Sequence, residues 1–337
     1  MKNNQNLDWY MQLFYSGWCA QAAGTAVKFN FADHLASGPK SVDELATLTN
    51  THAPTVHRLL RGLASLGVFV EQEPGRFANT PLSDSLRTDY PDSVRPVVDF
   101  LSHDMSVMTW GDLPYSVQTG KTSFEHVFGA MIWDYLGKHP DHGAVFDAAM
   151  SFVTASMGDA VARGYDFSGF ETICDVAGGR GLLLGSVLAQ HRNLRGILFD
   201  RPPVVATAGP TLESAGVAAR CQVVGGNFFE TLPEASAYMV KSILHDWDDE
   251  HALKLLKSIH RAAKPGSKFL AVEAVIQPGN GPDPNKFFDL QLLLLTKGGR
   301  ERTEQEFRQL FTAAGFELTR VIPLEGQILS ILEAVRT

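Results

Sequence analysis

The run Ala177-Gly178-Gly179-Arg180-Gly181 constrains this chain more than any other feature, because it stands between a short apolar β run and a helical stretch. Glycines there let the chain pass sharply from strand to helix and leave backbone bare for a ligand to approach. From Glu171 onward, strands and helices alternate. Thr172 to Ala177, Gly196 to Asp200, Cys221 to Val224, Tyr238 to Leu244 and Phe269 to Ile276 read as short strands. Between them lie helical stretches such as Gly181 to Gln190 and Glu250 to Ala263, the latter stopped by Lys264-Pro265-Gly266. Alternation of this kind predicts an α/β fold with a doubly wound, Rossmann-like parallel sheet. Phe316 to Pro323 and Ile328 to Val335 predict a closing antiparallel hairpin.

Ligands of such sheets sit beyond the carboxyl ends of the strands. Counting from Gly179 the chain reads G-x-G-x-x-Leu184, so the third glycine of the nicotinamide and flavin fingerprint is missing, and no G-x-x-x-x-G-K-[ST] run is present. Asp200 ends the second strand, where an acidic residue accepts the hydroxyls of an adenosine ribose. Asp175, Lys241 and Glu273 interrupt apolar strand runs. Charges in such places need partners or a cleft. His245 is expected to close the fourth strand and Glu273 to lie on the next one, so that both face one cleft and the histidine can act as a base.

Upstream, Ser41 to Glu44 forms a capping-box pattern, and Ala53-Pro54 opens a second helix with Val56, Leu59, Leu60, Leu63 and Leu66 on its apolar face. Val68-Phe69-Val70, a turn and Phe77-Ala78 then make a two-stranded wing, so this part reads as a mainly helical winged helix, expected over residues 1–103. Its second helix carries few basic residues, Arg58, Arg61 and His57, which argues against a DNA-binding regulator and for a dimerisation unit. Trp9, Tyr10, Phe14 and Trp18 are expected to pack across the partner copy. Residues 104–337 form the second segment. Its helical beginning is rich in aromatic and Met residues, expected in part as core and in part as lining for a flat substrate.

A chain of 337 residues has room for both segments, and 45% hydrophobic with 20% charged residues is a globular composition. The net charge of −8, without any Lys/Arg cluster, disfavours a nucleic-acid partner. Cys19, Cys174 and Cys221 show no CxxC spacing, which predicts a reduced, cytoplasmic protein without disulfide scaffold or zinc site. The apolar runs Gly181 to Ala189 and Leu290 to Thr296 are far shorter than the roughly 20 residues a bilayer span needs. Asp8 and the Asn/Gln-rich opening do not fit a signal peptide.

Several runs together resemble the plant-type and acetylserotonin-type small-molecule O-methyltransferases and their bacterial secondary-metabolite relatives, such as those acting on phenazines and mitomycins. They are Asp175-Val-Ala-Gly-Gly-Arg-Gly181, Phe199-Asp200-Arg-Pro-Pro203, Val224-Gly-Gly-Asn-Phe-Phe229, Leu244-His-Asp-Trp-Asp248, Lys264-Pro-Gly266 and Gly298-Gly-Arg-Glu-Arg-Thr303. The resemblance implies a homodimer using S-adenosyl-L-methionine (SAM), with S-adenosyl-L-homocysteine as product and no metal. It implies His245 as general base, flanked by Glu273 and Glu301. Around SAM it implies Ser151, Asp175, Gly178, Gly179, Gly181, Asp200, Arg201, Asn227, Phe228, Lys241 and Trp247. The substrate-facing set is expected to be Phe100, His103, Trp110, Phe146, Met150, Asp246, Asp289 and Leu293. Two positions depart from the family pattern. Ala177 replaces a glycine, a change that backbone in ordinary φ/ψ space tolerates, and Asn227 replaces an aspartate near the adenine. Related readings with SAM bound but different chemistry, or with N- or carboxyl methylation, share these motifs.

Overall fold

The computed structural model describes residues 5–337, so the start of the Asn/Gln-rich opening lies outside the described residues, as does the Asp8 side chain. Two compact units divide the chain. One runs up to Met108 and includes Leu136–Val153; the other consists of Thr109–Tyr135 and Thr154–Thr337. Leu136–Val153 thus belongs with the N-terminal unit, whereas the sequence reading draws its one boundary after residue 103.

The N-terminal unit is mainly helical. Helices Val42–Thr49 and Ala53–Ala64 precede an antiparallel hairpin of β2 (Phe69–Glu73) and β3 (Arg76–Asn79), and a two-residue strand β1 (Lys40–Ser41) adds to β3. Ser41 starts its helix as the sequence predicts: the hydroxyl accepts the Glu44 N–H at 3.2 Å and the Glu44 carboxylate accepts the Ser41 N–H at 2.6 Å. Val56, Leu60 and Leu63 point into a core with Phe31, Leu45, Phe69 and Phe77. Leu66 is not part of that face. The helix ends at Ala64, and Leu66 stands 49% exposed beyond it. On the long first helix, Gln5–Lys28, Trp9, Phe14 and Trp18 are exposed, whereas Ala26 and Val27 are buried.

The C-terminal unit is built on one sheet, with strands β4 (Thr172–Val176), β5 (Arg195–Asp200), β6 (Cys221–Gly225), β7 (Ala237–Lys241), β8 (Lys268–Ile276), β9 (Arg302–Thr303), β10 (Phe316–Pro323) and β11 (Leu329–Arg336). The order is β10-β11-β8-β7-β4-β5-β6, with β9 paired to the end of β8. β4 to β8 run parallel and the final hairpin joins β8 antiparallel, as the strand and helix pattern predicts. The chain leaves β4 toward β5 and β6, then returns to place β7 and β8 on the other side, so the topological switch lies at the β4/β7 boundary. Side chains such as Tyr238, Leu255, Leu256, Phe269, Phe307 and Phe311 fill the core beside the sheet.

Register sets the strand-end residues against one another. Val176 pairs with Phe199, one residue before Asp200, and Lys241 pairs with Val272, one residue before Glu273. Two strands end earlier than the sequence predicts: β4 stops at Val176, where Ala177 turns to a left-handed φ of 59°, and β7 is cut back further. β7 stops at Lys241 because Ser242 turns to a left-handed φ of 53°, and Leu244–Asp246 forms a short 3-10 turn. His245 therefore stands on a turn beyond the strand rather than closing it. No helix among the described residues is long and apolar enough to cross a membrane.

The cap in the N-terminal unit gives a direct check on this folding account. Ser41→Ala should destabilise the protein by about 1 kcal/mol, read as a lower urea midpoint with an unchanged slope. An unchanged midpoint would mean the cap is redundant.

Candidate active site

Three elements converge on His245. Its turn follows β7, Glu273 lies on β8 with no solvent exposure, and Glu301 immediately precedes β9, which pairs in parallel with Val275 and Ile276. His245 Nδ1 is 2.9 Å from Glu301 Oε1. The sequence reading sets Glu273 and Glu301 side by side as partners of the ring, but the structure separates their work. Glu273 Oε2 is 3.9 Å from Nδ1, beyond hydrogen-bond reach, while its Oε1 accepts the N–H groups of Ile243 and Leu244 at 2.9 and 2.8 Å. Glu301 thus orients the ring directly and Glu273 holds the backbone that carries it. Glu301 is 6% exposed, so it is not a solvated residue ahead of the Thr303–Glu306 capping box.

Protonation follows from this geometry. Burial pulls the His245 pKa down, but the Glu301 hydrogen bond and the charges of Asp246, Glu273 and Glu301 outweigh it and push it up to about 9. Burial pushes the Glu273 carboxyl up to about 7, with His245 opposing. In the neutral imidazole, Nδ1–H donates to Glu301, which leaves the Nε2 lone pair free to accept a proton. Asp246 Oδ1 lies 3.6 Å from Nε2, on the side where a proton donor would approach. The sequence shows no His/Asp/Glu group with ligand spacing, yet the fold gathers one: His245, Glu273 and Glu301 present ligand atoms within 4.8 Å of one another. The three residues come from separate elements, so their spacing along the chain does not reveal the group.

At the glycine turn, a Cβ on Gly178 would stand 2.6 Å from both Asp175 Oδ2 and Leu198, so no other residue fits. Gly179 faces open space, and its N–H donates to Asp200 Oδ2 at 2.9 Å. Gly181 has a different task. It begins the helix Leu182–Gln190 at φ 82° and packs against Leu198 and Leu212. Burial and Asp200 push the Asp175 carboxyl up to about 7, against Lys241, and Asp175 Oδ2 has no hydrogen-bond partner. Asp200 Oδ1 accepts the Arg201 N–H at 2.6 Å, while the Arg201 side chain is exposed. A bare glycine face, an orphaned buried carboxylate oxygen and a half-buried aspartate at the next strand end fit an adenosine cofactor.

Ala177 has φ 59°. The sequence expectation that ordinary backbone accommodates alanine here is therefore wrong, because the turn needs the left-handed region that glycine enters freely. Asn227 is committed locally: its Oδ1 accepts the Phe229 N–H and its Nδ2 donates to Glu230, both at 3.0 Å. Phe228 and Phe229 stand edge-on to Trp247, at 6.2 and 5.0 Å between ring centres. Lys241 Nζ donates to Thr154 Oγ1 at 3.1 Å. Burial lowers the Lys241 pKa, with Glu273, Asp175 and Asp246 opposing.

Of the expected substrate-facing residues, Asp289 accepts the Glu301 N–H at 2.9 Å, Trp110 donates its indole N–H to Gln291, and Leu293 is half-buried on the Asn285–Leu295 helix. Phe100, His103, Phe146, Met150 and Ser151 belong to the N-terminal unit, where Phe100 and Phe146 meet edge to face at 5.6 Å. Thr154 carries no signal in the sequence, and Arg302 stands in the Gly298–Thr303 run without any role read from it. Only the fold shows their partners.

A sheet with a ligand-ready glycine turn and a carboxylate-backed imidazole at neighbouring strand ends has the layout of a cofactor-dependent enzyme. The chain belongs to the O-methyltransferase family: residues 110–317 match the O-methyltransferase domain and residues 11–89 the O-methyltransferase dimerisation domain. It is 42% identical over 325 residues to a phenazine O-methyltransferase of Lysobacter antibioticus, covering 96% of this chain and 94% of that protein. It is 36% identical to a mitomycin biosynthesis 6-O-methyltransferase of Streptomyces lavendulae, covering 96% and 93%. Among solved structures, an O-methyltransferase of neocarzinostatin biosynthesis in complex with SAM and 2-hydroxy-5-methyl naphthoic acid superposes with a TM-score of 0.81 at 30% identity, covering 94% of this chain and 96% of that one.

Two measurements follow. Ala177→Gly should relieve the left-handed strain and raise stability by up to about 1 kcal/mol, since glycine's looser unfolded state offsets part of the gain; a lower melting temperature would contradict the strain. A base must be unprotonated to work, so kcat/KM should rise with pH through the raised His245 pKa of about 9. Glu301→Gln removes a charge that favours the imidazolium and should shift that rising limb to lower pH; a limb that stays in place would show that Glu301 does not set it.

Proposed function

We propose that this O-methyltransferase moves a methyl group from SAM to a phenolic or enolic hydroxyl of an aromatic small molecule, with His245 as general base and no metal. The His245–Glu301 contact of 2.9 Å carries this reading, because it fixes the ring with Nε2 free to take a proton. SAM supplies an already activated, electrophilic methyl group when bound. The protein's part is to hold the acceptor in line and remove its proton. A phenol has a pKa near 10, and a base raised to about 9 takes its proton at a cost of about 1.4 kcal/mol. An aliphatic hydroxyl is far too weak an acid for this base.

Gly178, Gly179, Asp175 and Asp200 would hold the cofactor at the switch point, with Lys241 near its charged end and Phe228 and Trp247 toward the base. Asp289 positions the Glu301 backbone. The relatives acting on phenazine and mitomycin scaffolds support a planar, fused-ring acceptor from secondary metabolism. The dimerisation domain and the exposed Trp9, Phe14 and Trp18 support a homodimer in which a second copy covers that helix. The wide spacing of Cys19, Cys174 and Cys221 supports a reducing, cytoplasmic setting.

The test is a panel of hydroxyphenazines, hydroxynaphthoic acids and simple phenols incubated with SAM after dialysis against a chelator, read by mass spectrometry for one added methyl. His245→Ala should lower turnover by about 100-fold or more while S-adenosylhomocysteine still raises the melting temperature. Full turnover in that variant would remove the base assignment, and loss of turnover on chelation would remove metal independence.

A further inference from the structure

Arg302 is the largest fully buried side chain among the described residues, with no solvent exposure. An arginine carries five N–H donors and stays charged, so each donor needs a partner inside the protein. All five find one. Nη1 donates to the Leu244 carbonyl at 2.8 Å and the Arg300 carbonyl at 3.5 Å, Nη2 to the Trp247 carbonyl and Asp249 Oδ1 at 2.8 Å each, and Nε to Asp249 Oδ1 at 3.0 Å. Leu244 and Trp247 bracket His245 and Asp246, so the guanidinium grips the turn on both sides of the imidazole.

The neighbours of Arg302 complete that grip. The Arg300 N–H donates to the His245 carbonyl at 2.8 Å. Gly299 lies so close that a Cβ would come within 2.6 Å of that carbonyl oxygen. Glu273 takes the N–H groups at the start of the turn, and the segment from Gly299 to Arg302 takes its carbonyls. Glu301, which bonds the ring, is the residue next to Arg302 in the chain, so the grip and the ring contact move together.

We infer that Arg302, through Asp249, is a positioning residue for methyl transfer that holds the His245 turn in register with Glu301. This inference rests on the methyl-transfer reading above. A lysine in its place has a point charge and three donors, and cannot reach both carbonyls and the carboxylate at once. Around the imidazole stand Glu301 at the entry to β9, Glu273 on β8, Asp246 on the same turn, and Lys241 at the end of β7. Loosening the grip separates His245 from Glu301 first, since theirs is the one hydrogen bond among these contacts.

The experiment compares full-length wild type, Arg302→Lys and Asp249→Asn. Arg302→Lys should reduce kcat by about 10- to 100-fold, the scale of a misplaced catalytic group. The KM for SAM should stay unchanged, and both the rising limb of the pH profile and the NMR titration of the His245 ring should move to lower pH. A wild-type kcat, or a reduced kcat with both titrations unmoved, overturns the inference. If Arg302→Lys does not fold, Asp249→Asn is decisive: it leaves the carbonyl contacts in place and should shift the ring titration in the same direction by less, and an unmoved titration overturns the inference. The ring titration needs no turnover. If wild type methylates no acceptor, the methyl-transfer reading fails, while a shifted titration in the variants still establishes the grip.

Discussion

A carboxylate with no solvent exposure, standing inside the longest strand of a parallel sheet, must find its donors within the protein, and the site is arranged around how Glu273 does so. Its neighbours along β8 are apolar, and its hydrogen bonds go to backbone beyond the end of β7. β7 ends one register position short of it, and the chain then folds back so that Ile243 and Leu244 present their N–H groups to the carboxylate. Charge-assisted bonds of this kind are worth more than neutral ones, and breaking them would leave a buried carboxylate uncompensated. The turn is therefore fixed from below by the residue that burial would otherwise penalise. His245 inherits its place from that fixation.

Holding a ring and setting its proton affinity are separate requirements, and two carboxylates meet them from different elements. Glu301 makes the short contact to Nδ1 and selects the tautomer that exposes Nε2. Glu273 contributes charge at 3.9 Å while its hydrogen bonds go to backbone. Asp246 adds a third negative group on the other side of the ring. Their sum overrides burial and makes His245 a stronger base than a free histidine. In the proposed reaction, a base of that strength would suit a weakly acidic phenol better than an alkyl alcohol.

Much of this was legible in the residues because it depends on local pattern. The glycine turn's place between strand and helix, the capping box at Ser41, the strand and helix alternation and the final hairpin all follow from local pattern. What escaped depends on partners distant in sequence. The early end of β7 follows from Ser242 and from Glu273 on another strand, so Leu244 looked like a continuing apolar run. Arg302 and Thr154 are ordinary residue types whose partners lie far along the chain. Leu66 kept the apolar period of its helix one step too long, because periodicity does not show that the backbone turns at Ala64.

Backbone strain marks the same place as the chemistry. Five non-glycine residues among those described have left-handed φ angles, and three of them, Asn30, Asn50 and Asp92, are of the types that tolerate it. Ala177 and Ser242 are not, and they directly follow β4 and β7, the two adjacent strands at the topological switch. Each is held by a neighbouring strand: the Gly178 N–H bonds to the Phe199 carbonyl at 3.2 Å and the Ser242 N–H to the Val272 carbonyl at 3.0 Å. Strain of this kind persists only where surrounding structure over-determines it. Both turns leave the sheet at adjacent strand ends, one leading into the glycine turn and the other into the His245 turn. A relaxed turn at either strand end would carry the glycine turn or the His245 turn out of register with the other, so the sheet's own hydrogen bonds sustain the geometry on which the proposed reaction depends.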